Sequence, residues 1–463
     1  MELCRKFTRT GAPSVTIKQS GALSAALALA GCASGALSSA PPSAQPTSTP
    51  AESPIKHVVF VIQENRSFNN LFVGYPDATT QNYGLDTGGH RVPLAPRNLG
   101  TSWDINHSST AFFTECDGRG KLPGTDCRMD GWNREEFYGR VPKNAAYSYV
   151  RRKQIEPYWQ MARDYVLADR TFSSNLDGSF VSHQYAVAAY ASHAVDFPLL
   201  QWGCPGGRTD TLPTLTSRRA LGPPIPACFD NPTIASEADT AGVSWRFYAD
   251  ALNTYGGPWS AYQADREIYR SPDWQTNVIN PETRFLEDVA KGRLAAITWI
   301  TPTLDDSDHP GLATTTQGPA WVASVVNAVG ASRFWNSTAI FVMWDDWGGF
   351  FDPVPPVHED YDGLGFRVPL LMISPYAKRR SVTHVQYETA SVLRFIEDNF
   401  GLAPLAASDA RAADPAADPA AFDYRQAPRT FEKISGSRPA AFWHERQHDA
   451  SAIQFPFAER GGD

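Results

Sequence analysis

Four short runs of almost uninterrupted apolar residues constrain this chain more than anything else in it. They are Val58-Val59-Phe60-Val61-Ile62, Ala295-Ala296-Ile297-Thr298-Trp299-Ile300, Ala339-Ile340-Phe341-Val342-Met343-Trp344 and Val368-Pro369-Leu370-Leu371-Met372-Ile373. A strand with one wet face alternates apolar and polar positions, whereas a run that is apolar throughout must be covered on both faces, as in parallel sheets. Between the runs, apolar residues recur near every 3.6 positions over Trp321–Val329 and Tyr387–Phe400, which predicts helices. Strands alternating with helices predict an α/β fold: a mostly parallel central sheet with helices on both faces. In such sheets ligands gather beyond the carboxyl ends of the strands. Each of the four runs ends there in polar or charged residues.

The rest of the 463 residues is organised around that body. A net charge of -8 and the lack of a long basic run argue against a nucleic-acid partner. At the amino terminus Arg5, Lys6, Arg9 and Lys18 precede a short apolar stretch from Gly21 to Ala30, the pattern of a signal peptide over residues 1–31. Its apolar part is about half of the ~20 residues a membrane-spanning helix needs. Leu29-Ala30-Gly31-Cys32 resembles a bacterial lipobox, which would attach a lipid anchor at Cys32; an ordinary cleaved signal is the alternative. Both readings export the chain, to the periplasm, to the membrane as a lipoprotein, or to the medium. Residues 32–54 are rich in Ala, Ser, Pro and Thr and read as an unstructured tether. Residues 55–463 are expected to form a single catalytic domain. Within it, 75–159 reads as loop-rich insertions shaping a substrate mouth, and the Ala-Pro-Asp tract near 403–420 as a solvent-exposed extension. An exported body with four cysteines suggests disulfides. Of three pairings, Cys116 with Cys127 and Cys204 with Cys228 is favoured because each closes a short loop rich in Gly, Pro and Asp.

The chemistry-bearing residues lie at the strand ends. Glu64 and Asn65 follow the first run, where a carboxylate and an amide oxygen can ligate a divalent cation; such hard donors suit Mg, Ca or Mn, and zinc also accepts carboxylates. The alternative is a polar turn in which Asn65 or Ser67 caps a helix. Asp345 and Asp346 follow the third run. Adjacent acids repel and are costly unless solvated or neutralised by a cation, and Gly348-Gly349 would let backbone approach a ligand closely. A merely solvated turn leaves the flanking Trp344, Trp347, Phe350 and Phe351 unexplained. Ser179, in Asp177-Gly178-Ser179, is expected at the amino terminus of a helix that includes Gln184–Tyr190, where free N–H groups favour a phosphate; a plain helix cap is the alternative. His107, His183 and His309 sit in polar loops or at that helix start, placed to contact a phosphoryl oxygen or protonate a leaving alcohol. His183 lies one helical turn from Ser179 on the same face, as a supporting residue or a buried structural histidine.

Together the segments VVFVIQENRSFNNLF, DINHSSTAF, YVLADRTFSSNLDGSFVSHQYAVAA, DSDHP, WDDWGGFFDPVPP and GFRVPLLMISPYAK resemble, in family order, the bacterial phosphoesterase family that contains phospholipases C and acid phosphatases. The resemblance implies an alkaline-phosphatase-like α/β fold with Glu64, Asn65, Asp345 and Asp346 as metal ligands. It implies Ser179 as a nucleophile passing through a phosphoserine intermediate, with His107 and His309 near the phosphoryl group. This chain departs from the usual pattern at Asn69, at Asp352-Pro353-Val354 and at Glu267, where many relatives carry a histidine. A phosphomonoester is the first expected substrate, because larger phospholipases C of the family usually carry further carboxy-terminal domains and little follows the motif-bearing body here. A phospholipid is the alternative. An inactive surface lipoprotein that binds phosphorylated ligands is the second alternative, and the intact metal and nucleophile set argues against it.

Overall fold

A computed structural model describes residues 53–198, 201–252, 254, 257–311 and 317–450. The signal segment, Cys32 and nearly all of the tether lie outside the described residues. Eight strands form the central sheet. In chain order they are β1 (His57–Gln63), β2 (Val166–Ala168), β3 (Trp245–Tyr248), β4 (Val278–Ile279), β5 (Ile297–Ile300), β6 (Thr338–Trp344), β7 (Leu370–Ile373) and β8 (Ser381–Thr383). Their spatial order is β4-β3-β5-β1-β6-β7-β2-β8. All four predicted runs are strands, and the sheet is parallel from β4 to β6.

One expectation needs correction. The fourth run, β7, pairs antiparallel with both β6 and β2. Burial on both faces produces the same uninterrupted apolar pattern in either direction, so strand polarity could not be read from composition. Direction was set by how the chain returns through the loop after Asp346.

The two seven-residue strands at the centre, β1 and β6, pair along their whole length. Val58, Val59, Phe60 and Val61 are almost completely buried. Helices α1 (Phe68–Phe72), α2 (Glu156–Asp164), α3 (Ser179–Ala188), α4 (Gly318–Gly330) and α5 (Ala390–Phe400) cover the sheet, α2 packing with α4 and α3 with α5. Since side chains of a strand alternate between faces, complete burial along β1 requires cover on both. The helix predicted to begin at Tyr387 starts instead at Ala390, because Tyr387 and Glu388 pair as a short strand with Thr171 and Phe172.

Two other regions differ from expectation. Residues 75–159 are not merely irregular: short strands and a helix fold around an aromatic core of their own, including Trp103, Phe112, Trp132, Tyr147, Trp347, Phe350 and Phe366. The tract at 403–420 is not an exposed extension, for Ser408 and Asp409 are buried and the Asp409 carboxylate accepts from the amides of Leu405, Ala406 and Ala410. Its small residues look soluble in sequence but let the backbone pack closely. Cys116–Cys127 and Cys204–Cys228 form the two favoured disulfides. Among the described residues no helix is long and apolar enough to cross a membrane.

Candidate active site

Three central strands, β5, β1 and β6, run parallel and deliver their following loops to one edge of the sheet. The first contribution is Glu64-Asn65. Asn65 adopts a left-handed conformation, φ 55°, which asparagine tolerates better than most residues. The turn aims its backbone N–H at the Asp345 carboxylate, Oδ1 2.9 Å away, tying the two strand ends together. Gly348, also left-handed at φ 62°, lies so close to the Asn65 carbonyl that any side chain would collide with it. The glycine thus serves a close approach within the chain, to Asn65, rather than the approach to a ligand that the sequence suggested. Ser67, the alternative cap, does cap α1 by accepting from Asn70 N at 3.2 Å.

The second contribution is α3. It begins at Ser179, after Gly178 as cap, so Ser179 occupies the first helical position as predicted. Its hydroxyl lies 3.3 Å from Asn65 Oδ1 and 3.3 Å from Asp346 Oδ2. One turn on, His183 is fully buried with Nε2 2.9 Å from Glu64 Oε1 and 3.9 Å from Asp345 Oδ2. Glu64, His183 and Asp345 thus present ligand atoms that all lie within 4.8 Å of one another.

This group has the chemistry of a cation site. Glu64 Oε2, Asp345 Oδ2 and His183 Nδ1 are buried and have no hydrogen-bond partner. Buried polar atoms are almost always paired, so the two carboxylate oxygens left without a partner beside the His183 ring call for an external partner. Burial, then the charge of Asp345, pushes the Glu64 and Asp346 carboxyls well above the usual carboxylate range. Burial depresses the His183 imidazole to about 4, so this ring is a neutral donor. Acids under such mutual repulsion are held by protons or by a cation, and a neutral imidazole among them suits a metal.

His107 and His309 stand together at the mouth, their ring centroids 6.0 Å apart. His107 shares a hydrogen bond of 2.7 Å with the Asn65 amide and another of 2.7 Å with the Ile105 carbonyl. Burial alone would depress its pKa, but Asp346 and Asp104 outweigh it and raise the ring to about 9. His309, stacked on Trp259 with centroids 6.1 Å apart, is instead lowered by burial. The loop carrying His309 is pinned by Asp308: its backbone N–H donates to Gln63 Oε1, its carboxylate accepts from Tyr158 and Trp344, and its carbonyl accepts from Arg66.

All eight residues singled out from the sequence therefore lie in this region, though not with equal weight. His183 belongs to the group that can hold a cation, more intimately than its spacing from Ser179 suggested. The missing signal was the position of Glu64, which only the packing of α3 against the end of β1 supplies. Of the departures, Asn69 exchanges hydrogen bonds with the Gln81 backbone, and Asp352 is locked to Arg367; neither touches the cluster. Glu267 lies on the short helix Arg266–Arg270, whose Asp265 cap accepts from Ile268 N.

A family model described as the phosphoesterase family matches residues 55–403. Phospholipase C B of Mycobacterium tuberculosis is 25% identical over 411 residues, covering 75% of this chain and 74% of that protein. The non-hemolytic phospholipase C of Pseudomonas aeruginosa is 25% identical over 396 residues, covering 75% of this chain and 54% of that protein. A solved protein of the alkaline phosphatase superfamily from Vibrio parahaemolyticus aligns over 76% of this chain and 68% of that chain, with 10% identity and a TM-score of 0.35, too loose a superposition to speak for chemistry.

Proposed function

The chain belongs to the phosphoesterase family and is a phosphoric ester hydrolase, and from that premise we propose that Ser179 attacks phosphorus and forms a phosphoserine intermediate that water then hydrolyses. One observation carries the assignment: the Ser179 hydroxyl sits at a helix amino terminus, 3.3 Å from both the Asn65 amide oxygen and the Asp346 carboxylate, beside the orphaned cluster. Helix N–H groups favour phosphoryl oxygens there. The Asp346 carboxylate orients the hydroxyl proton away from the attacking lone pair. His309, its Nδ1 held by the Pro310 carbonyl, donates from Nε2 to the phosphoryl group or protonates the leaving alcohol, and His107 joins it on exchanging its Nε2 bond with the Asn65 amide for the substrate.

Glu64, Asp345 and His183 would hold a divalent cation, with Asn65 and Asp346 adjoining. When bound, it supplies positive charge that stabilises the serine alkoxide and the developing charge on phosphorus. An imidazole among the donors favours zinc over Mg, Ca or Mn, which prefer oxygen-only sites. Elemental analysis of the purified protein checks this directly.

Two substrate classes suit this chemistry. The phosphomonoester expected from the sequence is the simpler ligand, while the names of the relatives favour a phospholipid, and the phospholipase C reading is the one carried forward. A panel comparing p-nitrophenyl phosphate with phosphatidylcholine separates them. Ser179→Ala is expected to lose hydrolysis of both by on the order of a thousandfold or more, with fold and metal content intact. Retained activity in that variant would remove Ser179 from the mechanism. Export through residues 1–31, with a lipid on Cys32, completes the proposal, and mass spectrometry of the mature amino terminus tests it.

A further inference from the structure

A cavity of about 530 Å³ has Arg97, Arg140 and Arg151 in its lining together with Thr101, Ser102 and Trp103; no acidic residue lines it. In a chain with 49 acidic and 41 basic residues, three guanidiniums around one cavity without a carboxylate are out of keeping with their surroundings. Arg411 and Arg446, by contrast, are paired with carboxylates, Glu388 and Asp306. Here the hydrogen bonds of Arg97 and Arg151 go to uncharged acceptors, the Lys143 carbonyl and the Asn98 side chain. Arg97 Nε is buried and has no partner at all. A buried, unsatisfied guanidinium N–H is costly, and the natural remedy is an oxyanion from outside the chain.

The position is also informative. Trp103, in the cavity lining, opens the short strand Trp103–Ile105, and His107 follows two residues after that strand, so their backbones lie within about 13 Å of each other. Thr101 Oγ1 accepts from Gly311 N at 3.0 Å, just past His309. The segment leading to His107 thus lines this cavity, and the loop carrying His309 is tied to its Thr101. Repulsion among like charges is tolerated where a bound anion relieves it, and the planar fork of arginine matches the oxygens of phosphate.

We propose that the cavity of Arg97, Arg140 and Arg151 is an anion subsite that binds a phosphate group separately from the reaction centre. Its ligand is a phosphate-bearing group, either free phosphate or the headgroup of an acidic lipid. The test uses the full chain and the variant Arg97→Gln/Arg140→Gln/Arg151→Gln. Calorimetric titration with inorganic phosphate is expected to show two binding events in the parent and one in the variant, while turnover of p-nitrophenyl phosphate is unchanged. Sedimentation with vesicles of phosphatidylcholine, with and without phosphatidylglycerol, distinguishes the sources: loss of binding to the acidic vesicles by the variant assigns the site to a lipid headgroup, and a change in the phosphate isotherm alone assigns it to free phosphate. Arg140 is exposed, so the single change Arg140→Glu serves if the triple variant folds poorly, with about tenfold weaker binding expected. Identical isotherms and identical sedimentation for parent and variants overturn the proposal. Because the catalytic readout is separate, loss of the Ser179 assignment would leave this test standing.

Discussion

The acids of the reaction centre and the Asp352–Arg367 pair are equally buried and differ in what faces them. Asp352 and Arg367 are both inaccessible, and the guanidinium meets both carboxylate oxygens, Nε to Oδ1 at 2.7 Å and Nη2 to Oδ2 at 3.1 Å. In the reaction centre Glu64 and Asp345 each keep an oxygen with no partner. A carboxylate compensated from within the chain is architecture. A converging set left uncompensated is arranged for something the chain itself lacks. A third solution appears at Glu397, fully buried with neither oxygen hydrogen-bonded: burial, and Asp409 beside it, raises its pKa to about 9, so a proton is its counterpart.

Substitutions can break this contrast. Asp345→Asn should cost the most, on the order of ten-thousandfold in hydrolysis through loss of the cation, while the folded protein persists, since one repelling charge has been removed. Kinetics together with elemental analysis reads it, and undiminished metal content would show that the cluster is not the cation site. Arg367→Ala should do the reverse, destabilising the fold by about 3–5 kcal/mol because Asp352 is left charged and buried. Thermal melting measures that loss, and the activity of the molecules still folded should match the parent's; a selective fall in activity would make the pair part of the site. Removing metal with a chelator should lower the stability of the parent by about 2.7 kcal/mol relative to protein held at a hundredfold excess of cation over its Kd, and should leave Asp345→Asn unmoved.

A further effect is a slope with pH. The Glu397 carboxyl, raised from its ordinary value of 4.5 to about 9, binds its proton more tightly in the folded state than in the unfolded. Its contribution is therefore complete below pH 4.5 and lost as pH rises toward 9, by at most about 1.4 kcal/mol per pH unit. Glu397→Gln, which keeps the neutral amide at every pH, should flatten the dependence of melting temperature over that window. An unchanged slope would mean that Glu397 is ionised in the folded protein.

Much of the site was legible because its signals are local. Glu64-Asn65 and Asp345-Asp346 announce themselves by following buried strands, and Ser179 by standing after glycine before a helical pattern. What could not be read was which buried acid has which counterpart. Asp352 and Asp345 look alike in sequence, but the Arg367 guanidinium folds back onto the first, whereas only the Asn65 N–H and the His183 ring meet the second. The same limit hid His183, whose role depends on α3 crossing the end of β1, and the burial of Asp409, whose neighbours are small residues with little pattern.

The sequence by itself determined the α/β sheet, pointed to polar clusters at the strand ends and favoured the two disulfide pairings, because hydrophobic periodicity and short-range spacing are properties of neighbouring residues. Only the tertiary structure decided the antiparallel direction of β7, the placing of His183 beside Glu64 and Asp345 and the gathering of three arginines without a carboxylate around one cavity. Those are relations between residues far apart in the chain, and they come into being only when packing brings the segments together.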